Sequence, residues 1–303
     1  MRINKYLAEC GVCSRRKADE IISSGKVSVN RKVITELGVD IDVEKDVVYL
    51  DGKKIVLVTH YDYIMFNKPK GCVTTMSDEF DKGTLDVAVA EGETPSRASG
   101  KVIKAKPTKY VNVGNGGNST AGFDDDGQAE EKRKRKTIYD FFKSEKRLFP
   151  VGRLDYDSEG LLLLTNDGDL TYKLTHPSSE IPKTYIVKID DEIQESDLAI
   201  LRKGVTVDGV KFSHCKVKVT GIENGLTRLE VIIFEGKNRE IRRMFEAVEK
   251  KVVFLKRVAI GDLKLGGLSR GGNRELNDGE VAYLKKLCEA APVSRPNNDD
   301  DEE

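Results

Sequence analysis

The sequence predicts an α+β protein in two domains: a small one of two helices and short strands, then a larger one on a mixed, largely antiparallel sheet with a central cleft. Three observations predict it. At roughly 150 residues per domain, a chain of 303 residues makes about two. Charge is segregated: residues 1–32 carry eight basic and three acidic side chains, a net of +5, whereas residues 33–60 carry three basic and six acidic, a net of −3. Beyond residue 61, helical and strand patterns alternate irregularly, and apolar strands flank the turn pairs Asp208-Gly209 and Asn224-Gly225.

In the first 60 residues, Ile3, Tyr6, Leu7 and Cys10 recur at helical spacing up to Gly11. Ser14 suits the N-cap of a second helix that buries Ala18, Ile21 and Ile22 and stops at Gly25. Val27 to Val29, Val47 to Leu50 and Ile55 to Val58 read as short strands, the last two joined by an Asp51-Gly52 turn. In residues 61–290, strands are expected at 63–67, 161–165, 185–189, 215–219, 227–234 and 252–255, and helices at 170–175, 195–202, 238–248 and 280–288. Residues 91–136 interrupt this domain with GETPSRASG, VGNGGNSTAG, DDDGQAEE and KRKRK; so little apolar surface cannot offset the entropy of ordering, and a disordered insertion is expected. The acidic tail, residues 291–303, reads the same way.

Lys+Arg and Asp+Glu both number 51, so any attraction for a polyanion must come from local clusters. The longest apolar runs fall far short of the ~20 residues that span a bilayer. The N-terminus MRINKYLAEC has no apolar signal segment, and an odd count of five cysteines suits reduced thiols. A cytoplasmic protein is expected, with no membrane partner. His60, His176 and His214 lack metal-ligand spacing, and a lone Cys10-x-x-Cys13 is weak grounds for zinc, so no metal is expected.

Gly11-Val12-Cys13-Ser14-Arg15-Arg16-Lys17-Ala18 puts three cations in the first turn of a capped helix, where the helix dipole already favours anions. An isolated Arg-Arg-Lys is usually a solvated face. Arg2, Lys5 and Lys26 can join this one, which favours a site for RNA phosphates. With Gly25-Lys26-Val27 and Val29-Asn30, the stretch resembles the RNA-binding domain named for ribosomal small-subunit protein four; the match covers about residues 2–50 and departs where Arg31 replaces a final glycine.

Gly152-Arg153-Leu154-Asp155-Tyr156-Asp157-Ser158-Glu159-Gly160 runs into the apolar LLLLTNDGD. Taken singly these are ordinary loop residues. The whole string resembles the signature of pseudouridine synthases that act on ribosomal RNA, with Ser158 where threonine is more usual. Phe66-Asn67-Lys68-Pro69-Lys70-Gly71, Pro182-Lys183-Thr184-Tyr185 and Glu235-Gly236-Lys237-Asn238-Arg239-Glu240-Ile241-Arg242-Arg243-Met244 resemble further elements of that family, in the same order. Together with the N-terminal domain they match the group containing small-subunit synthase A and large-subunit synthase B.

On a helix from Asn238, stepping 100° per residue, Arg239, Arg243 and Glu246 share one face, Ile241, Met244, Phe245 and Val248 the other, and Arg242 the border. A border arginine can bury its stem and turn its guanidinium into a cleft. The resemblance implies isomerisation of uridine to pseudouridine with no cofactor, Asp155 carrying the chemistry. Arg242 is expected to pair with Asp155, and Tyr185 to stack on the displaced base or reach it through its hydroxyl. Arg153 is expected to brace the vacated space, with Lys68, Lys183, Lys237, Arg239 and Arg243 as further RNA contacts. The expected partner of this monomer is ribosomal RNA, large-subunit before small-subunit. A non-catalytic RNA-binding assembly factor is the rival; a methyltransferase or tyrosyl-tRNA synthetase would need nucleotide-binding motifs that do not appear.

Overall fold

The computed structural model describes residues 1–75, 135–141, 144 and 146–290, with the backbone alone at 85–88 and 110–113. The chain divides into two compact units; the first contains 1–61, the second 62–75, 135–141 and 148–290.

In the first unit, α1 (Ile3–Glu9) buries Ile3, Tyr6 and Leu7, and α2 (Arg15–Ser23) buries Ala18 and Ile22. The Ser14 hydroxyl caps α2 by accepting from the Lys17 amide, as its sequence position suggests. The unit's sheet has the order β2-β1-β3-β4, from β1 (Val27–Val29), β2 (Lys32–Ile34), β3 (Val48–Leu50) and β4 (Lys53–Lys54). Strand β2 is not marked by any glycine turn. Asn30 and Arg31 make the hairpin themselves with φ of 50° and 69°, the pair of left-handed residues that a two-residue turn requires. The strand expected at 55–58 is absent. Pairing ends in a single bridge at Ile55, which is buried and whose amide bonds the Val48 carbonyl of β3 at 3.0 Å; the chain leaves the sheet after it.

Within the span expected to be disordered, 91–136, one strand is present: β7 (Tyr110–Val113), which pairs antiparallel with β6 (Leu85–Ala88) just ahead of that span. The rest of that span up to 134, like the tail from 291, lies outside the described residues.

The second unit is built on β5 (Tyr63–Lys68), β8 (Phe149–Pro150), β9 (Glu159–Thr165), β10 (Lys183–Ile189), β13 (Lys216–Glu223), β14 (Leu226–Ile233), β15 (Val252–Ile260), β16 (Leu263–Lys264) and β17 (Asn273–Glu275). The short hairpin β11 (Thr206–Val207) and β12 (Val210–Lys211) turns at Asp208-Gly209. The main order is β13-β14-β10-β15-β9-β5-β17, with β16 on β15 and β8 on β9. Every pairing is antiparallel except β9 with β15, so the sheet is mixed and largely antiparallel, as expected.

The two faces are covered differently. On one, Leu162, Leu164, Val187, Leu229 and Val231 form a core with Leu198 and Leu201 of α4 (Glu195–Lys203) and Ile241, Met244 and Phe245 of α5 (Glu240–Glu246). On the other, Met65, Leu161 and Leu163 pack with Leu170 and Leu174 of α3 (Gly168–Thr175) and Leu284 and Cys288 of α6 (Asp278–Ala290). No helix among the described residues is long and apolar enough to cross a membrane.

Candidate active site

The parallel step between β9 and β15 fixes the site. Gly160 lies opposite Arg257, and its φ is +105°; a Cβ there would stand 2.1 Å from the Arg257 carbonyl oxygen. Only glycine permits that approach. It brings the loop ahead of β9, residues 152–158, over the ends of β10 and β15.

That loop is held at five successive carbonyls. Leu154 O accepts from the Thr74 hydroxyl at 2.9 Å, Asp155 O from Lys68 Nζ at 2.9 Å, and Tyr156 O from the Gly71 amide at 2.8 Å. Asp157 O accepts from Arg242 Nη2 at 3.1 Å and Ser158 O from Lys68 Nζ at 2.9 Å. Buried carbonyls left unpaired cost about 1–3 kcal/mol each, so this loop has little freedom to rearrange. Asp155 itself is half-buried and lines a cavity of about 220 Å³.

Tyr185, Lys183, Leu255, Arg257 and Ile233 form the sheet side of that cavity; Arg153, Lys237, Arg239, Glu240 and Ile241 complete it. Tyr185 is 7% exposed, with its hydroxyl 3.5 Å from Arg257 Nη1. Arg257 is 3% exposed; Nε donates to Leu161 O at 2.7 Å, and Nη2 has no partner among the described residues. Lys183 Nζ donates to Ile181 O at 3.0 Å. Burial, reinforced by the Arg257 charge and opposed by Glu240, pushes its pKa down to about 8. Burial likewise pushes the Glu240 carboxyl up to about 7, although its Oε2 accepts from the Lys237 amide at 2.8 Å.

Three expected contacts are corrected. Arg242 is 6% exposed, and its ion pair is with Asp157, at 3.2 Å, not with Asp155. Burial lowers its pKa, and among the carboxylates opposing that shift Asp157 precedes Asp155. The border position on α5 aims the guanidinium at the loop's second aspartate, and a further bond to Val252 O at 2.8 Å holds it there. Lys68 is fully buried, with Nζ spent on backbone carbonyls including that of Pro69 at 3.2 Å, so it holds the loop and cannot meet RNA. Arg243 turns from the cavity, bonding Val207 O at 2.9 Å and Asp208 at 3.2 Å with its guanidinium over the Phe212 ring.

Of the other expected contacts, Arg153 is exposed at the cavity rim, and Arg239 reaches Asp157 at 3.3 Å. Lys237 pairs with Glu235 at 2.7 Å and remains exposed. In the first unit Arg15, Arg16 and Lys26 are exposed, whereas Arg2 pairs with Asp40 at 3.4 Å and Lys5 with Glu9 at 3.4 Å. Sequence reasoning misses Arg257 and Glu240. A strand expected to stop at Leu255 hides the first, though Arg257 follows Leu255 by two and so shares its inward face. Glu240 looks like an ordinary first-turn acid, and nothing in its spacing marks it as buried. Among the described residues no three His, Cys, Asp or Glu side chains converge to hold a metal ion.

Residues 62–247 match the RNA pseudouridylate synthase family, and residues 1–55 match the S4 domain. An uncharacterized RNA pseudouridine synthase of Aquifex aeolicus is 35% identical over 97% of this chain and 98% of its own length. The ribosomal large subunit pseudouridine synthase B of Bacillus subtilis is 34% identical over 95% of this chain and 97% of its own. A crystal structure of a pseudouridylate synthase superposes with a TM-score of 0.56 at 26% identity, covering 94% of this chain and 99% of that one. With its looped aspartate, walled cavity and N-terminal S4 domain, the chain belongs to the RNA pseudouridine synthases.

Proposed function

We propose that the protein isomerises a specific uridine in large-subunit ribosomal RNA, acting as a cytoplasmic monomer. The observation that carries this reading is Asp155: the backbone around it is clamped at successive carbonyls, and it lines one cavity with Tyr185, Lys183 and Arg257. The preference for large-subunit RNA is supported by the near full-length similarity to the Bacillus protein named for it.

The reaction breaks the bond from ribose C1′ to N1, turns the uracil, and joins C1′ to C5; C5 then gives up its hydrogen as a proton and N1 gains one. Asp155 is the group placed to act on the nucleoside. Arg242 acts at one remove, fixing Asp157 and so the loop that carries Asp155. The target base must leave its stack to enter the cavity, at a cost of a few kcal/mol. Tyr185 then offers its ring as a wall for the displaced uracil, and Arg153, at the rim, braces the space left behind. Arg15, Arg16 and Lys26 supply affinity through phosphates, with little sequence information of their own.

The test is to map pseudouridines in ribosomal RNA from cells lacking the protein and complemented with wild type or Asp155→Ala. One large-subunit site lost in the deletion, restored by wild type and not by the variant, is the expected result. Restoration by the variant would overturn the catalytic reading in favour of an assembly factor, and a site in small-subunit RNA would overturn the target.

A further inference from the structure

A second, larger space lies behind the active-site cavity. Along a strand, successive side chains point to opposite faces of the sheet. Lys183, Ile233 and Arg257 line the cavity, whereas their neighbours Thr184, Phe234 and Lys256 line an open groove of about 780 Å³ on the other face. On that face α3 and α6 build their core over β5, β9 and the end of β15, and no residue of β10, β13 or β14 joins it. The four strands β13, β14, β10 and β15, paired antiparallel throughout, thus carry a face outside that core.

Its chemistry is cationic and aromatic. Register sets Lys216 beside Ile232 and Thr184, and Lys218, Glu230, Ile186 and Lys256 in the next row across the strands. His214 stacks on the Phe234 ring with centroids 5.0 Å apart, and Lys216 Nζ lies 5.8 Å from the centre of the same ring. Tyr283 and Leu287 of α6 also line the groove, the Tyr283 hydroxyl accepting from the Asp262 amide at 2.6 Å. Six cations, Lys188, Lys216, Lys218, Arg228, Lys256 and Lys264, stand against three carboxylates, Glu223, Glu230 and Asp262, a net of +3. Glu223 is taken by Lys188 at 2.7 Å and Arg228 at 3.7 Å. Lys216, Lys218, Lys256 and Lys264 have no ion pair among the described residues.

We propose that this groove binds an unpaired stretch of the RNA substrate next to the target, with a base against Phe234 and phosphates on Lys216, Lys256 and Lys264. A paired helix turns its phosphates outward and hides its bases, which would leave the apolar wall of Ile232, Phe234 and Leu287 unmet. An unpaired strand satisfies rings and ammoniums together. The groove has room for it, since ligand sites enclose about 300–1,000 Å³. An acidic protein segment would match the charge, but RNA already reaches the cavity, which one layer of sheet separates from the groove. The proposal rests on the reading of that cavity as the uridine site, and adds that the substrate is gripped on both faces of the sheet.

The test uses the full chain and a transcript of large-subunit ribosomal RNA, and it reads binding. Acetylation of the wild type, followed by mass spectrometry, is expected to show Lys216, Lys256 and Lys264 protected by the RNA, and the exposed Lys203 and Lys251 unprotected. Replacing Lys216, Lys256 and Lys264 together by alanine is expected to weaken binding. The slope of log affinity against log salt should flatten by about 2, at about 0.7 for each single-strand phosphate given up. Phe234→Leu keeps an apolar side chain without a ring, and is expected to weaken binding about fivefold or more with the slope unchanged, the low end of what one stacked base contributes. Unchanged affinity in Phe234→Leu would overturn the stacked base. Absent protection, or an unchanged slope in the triple variant, would overturn the groove as an RNA site. A wild type that then sediments as a dimer, with the triple variant monomeric, would give the face to a second copy of this chain; two monomers would give it to an acidic protein. A chain that binds as expected but converts no uridine would strike the isomerase reading instead and leave the groove standing.

Discussion

Lys68 and Asp155 are joined through the backbone: the buried ammonium donates to the Asp155 carbonyl oxygen at 2.9 Å and, at the same distance, to that of Ser158. One side chain thereby spans the loop on both sides of its acidic residue. Burial lowers the Lys68 pKa, opposed by the charges of Cys72, Asp155, Asp157 and Glu159, and no exposed surface remains for RNA. Lys68→Met is expected to leave carbonyls unpaired at a cost of about 1–3 kcal/mol each. The measurement is twofold: urea unfolding should show the reduced stability, and kinetics should show kcat reduced with RNA affinity unchanged. A fall in affinity alone would restore the view of Lys68 as an RNA contact.

Asp157 holds Arg242 at 3.2 Å and Arg239 at 3.3 Å, and so links α5 to the loop. Removing one partner of a fully buried pair costs about 3–5 kcal/mol. Here Asp157 is 32% exposed and Arg242 keeps its bond to Val252 O, so Asp157→Ala is expected to cost less, about 2 kcal/mol. A double-mutant cycle with Arg242→Met checks it; independent effects would show that the pair does not couple.

The distinction between Asp155 and Asp157 marks how far the sequence can be read. Both are legible as a polar loop ahead of an apolar strand, and the helical wheel of α5 places Arg242 at the edge of the buried face, where the structure has it. Which aspartate it meets depends on a loop path set by Gly160 against Arg257, a contact between residues almost 100 apart that no local pattern encodes. The strands β9, β10 and β14 are legible because their apolar runs are long. The second half of β15 is not, because Lys256-Arg257 looks like a break when it is an alternation, one side chain on each face. Lys68 misleads for a related reason: a lysine beside proline and glycine looks exposed until its carbonyl partners are known.

Arg15 and Arg16 stand exposed in the first turn of α2, where the cap and helix dipole favour an anion. Every phosphate that the protein ceases to neutralise lowers the salt slope of RNA binding by about 0.7–0.9. Replacing both arginines by alanine is therefore expected to weaken RNA binding and flatten the slope of log affinity against log salt by about 1.5. Titrations at several salt concentrations decide it; an unchanged slope would remove this surface from the RNA interface.

Glu240 makes stability depend on pH in a direction opposite to most carboxylates. Its pKa rises from the ordinary 4.5 to about 7 in the folded chain because burial disfavours the charge. Between those values the folded state holds a proton that the unfolded state has released, so stability falls as pH rises through the window. The contribution is whole below about 4.5 and gone above about 7, and the shift corresponds to about 3 kcal/mol. Glu240→Gln keeps an oxygen for the Lys237 amide and has no proton to lose. Its stability is therefore expected to gain on the wild type steadily from pH 5 to pH 7.5 in urea unfolding. Lys183, lowered to about 8, contributes the opposite slope at higher pH, where the unfolded state binds the extra proton, so the comparison must stop short of that range. Parallel curves for the two proteins would show that Glu240 holds no extra proton in the folded chain, and that burial does not keep its carboxyl neutral in this range.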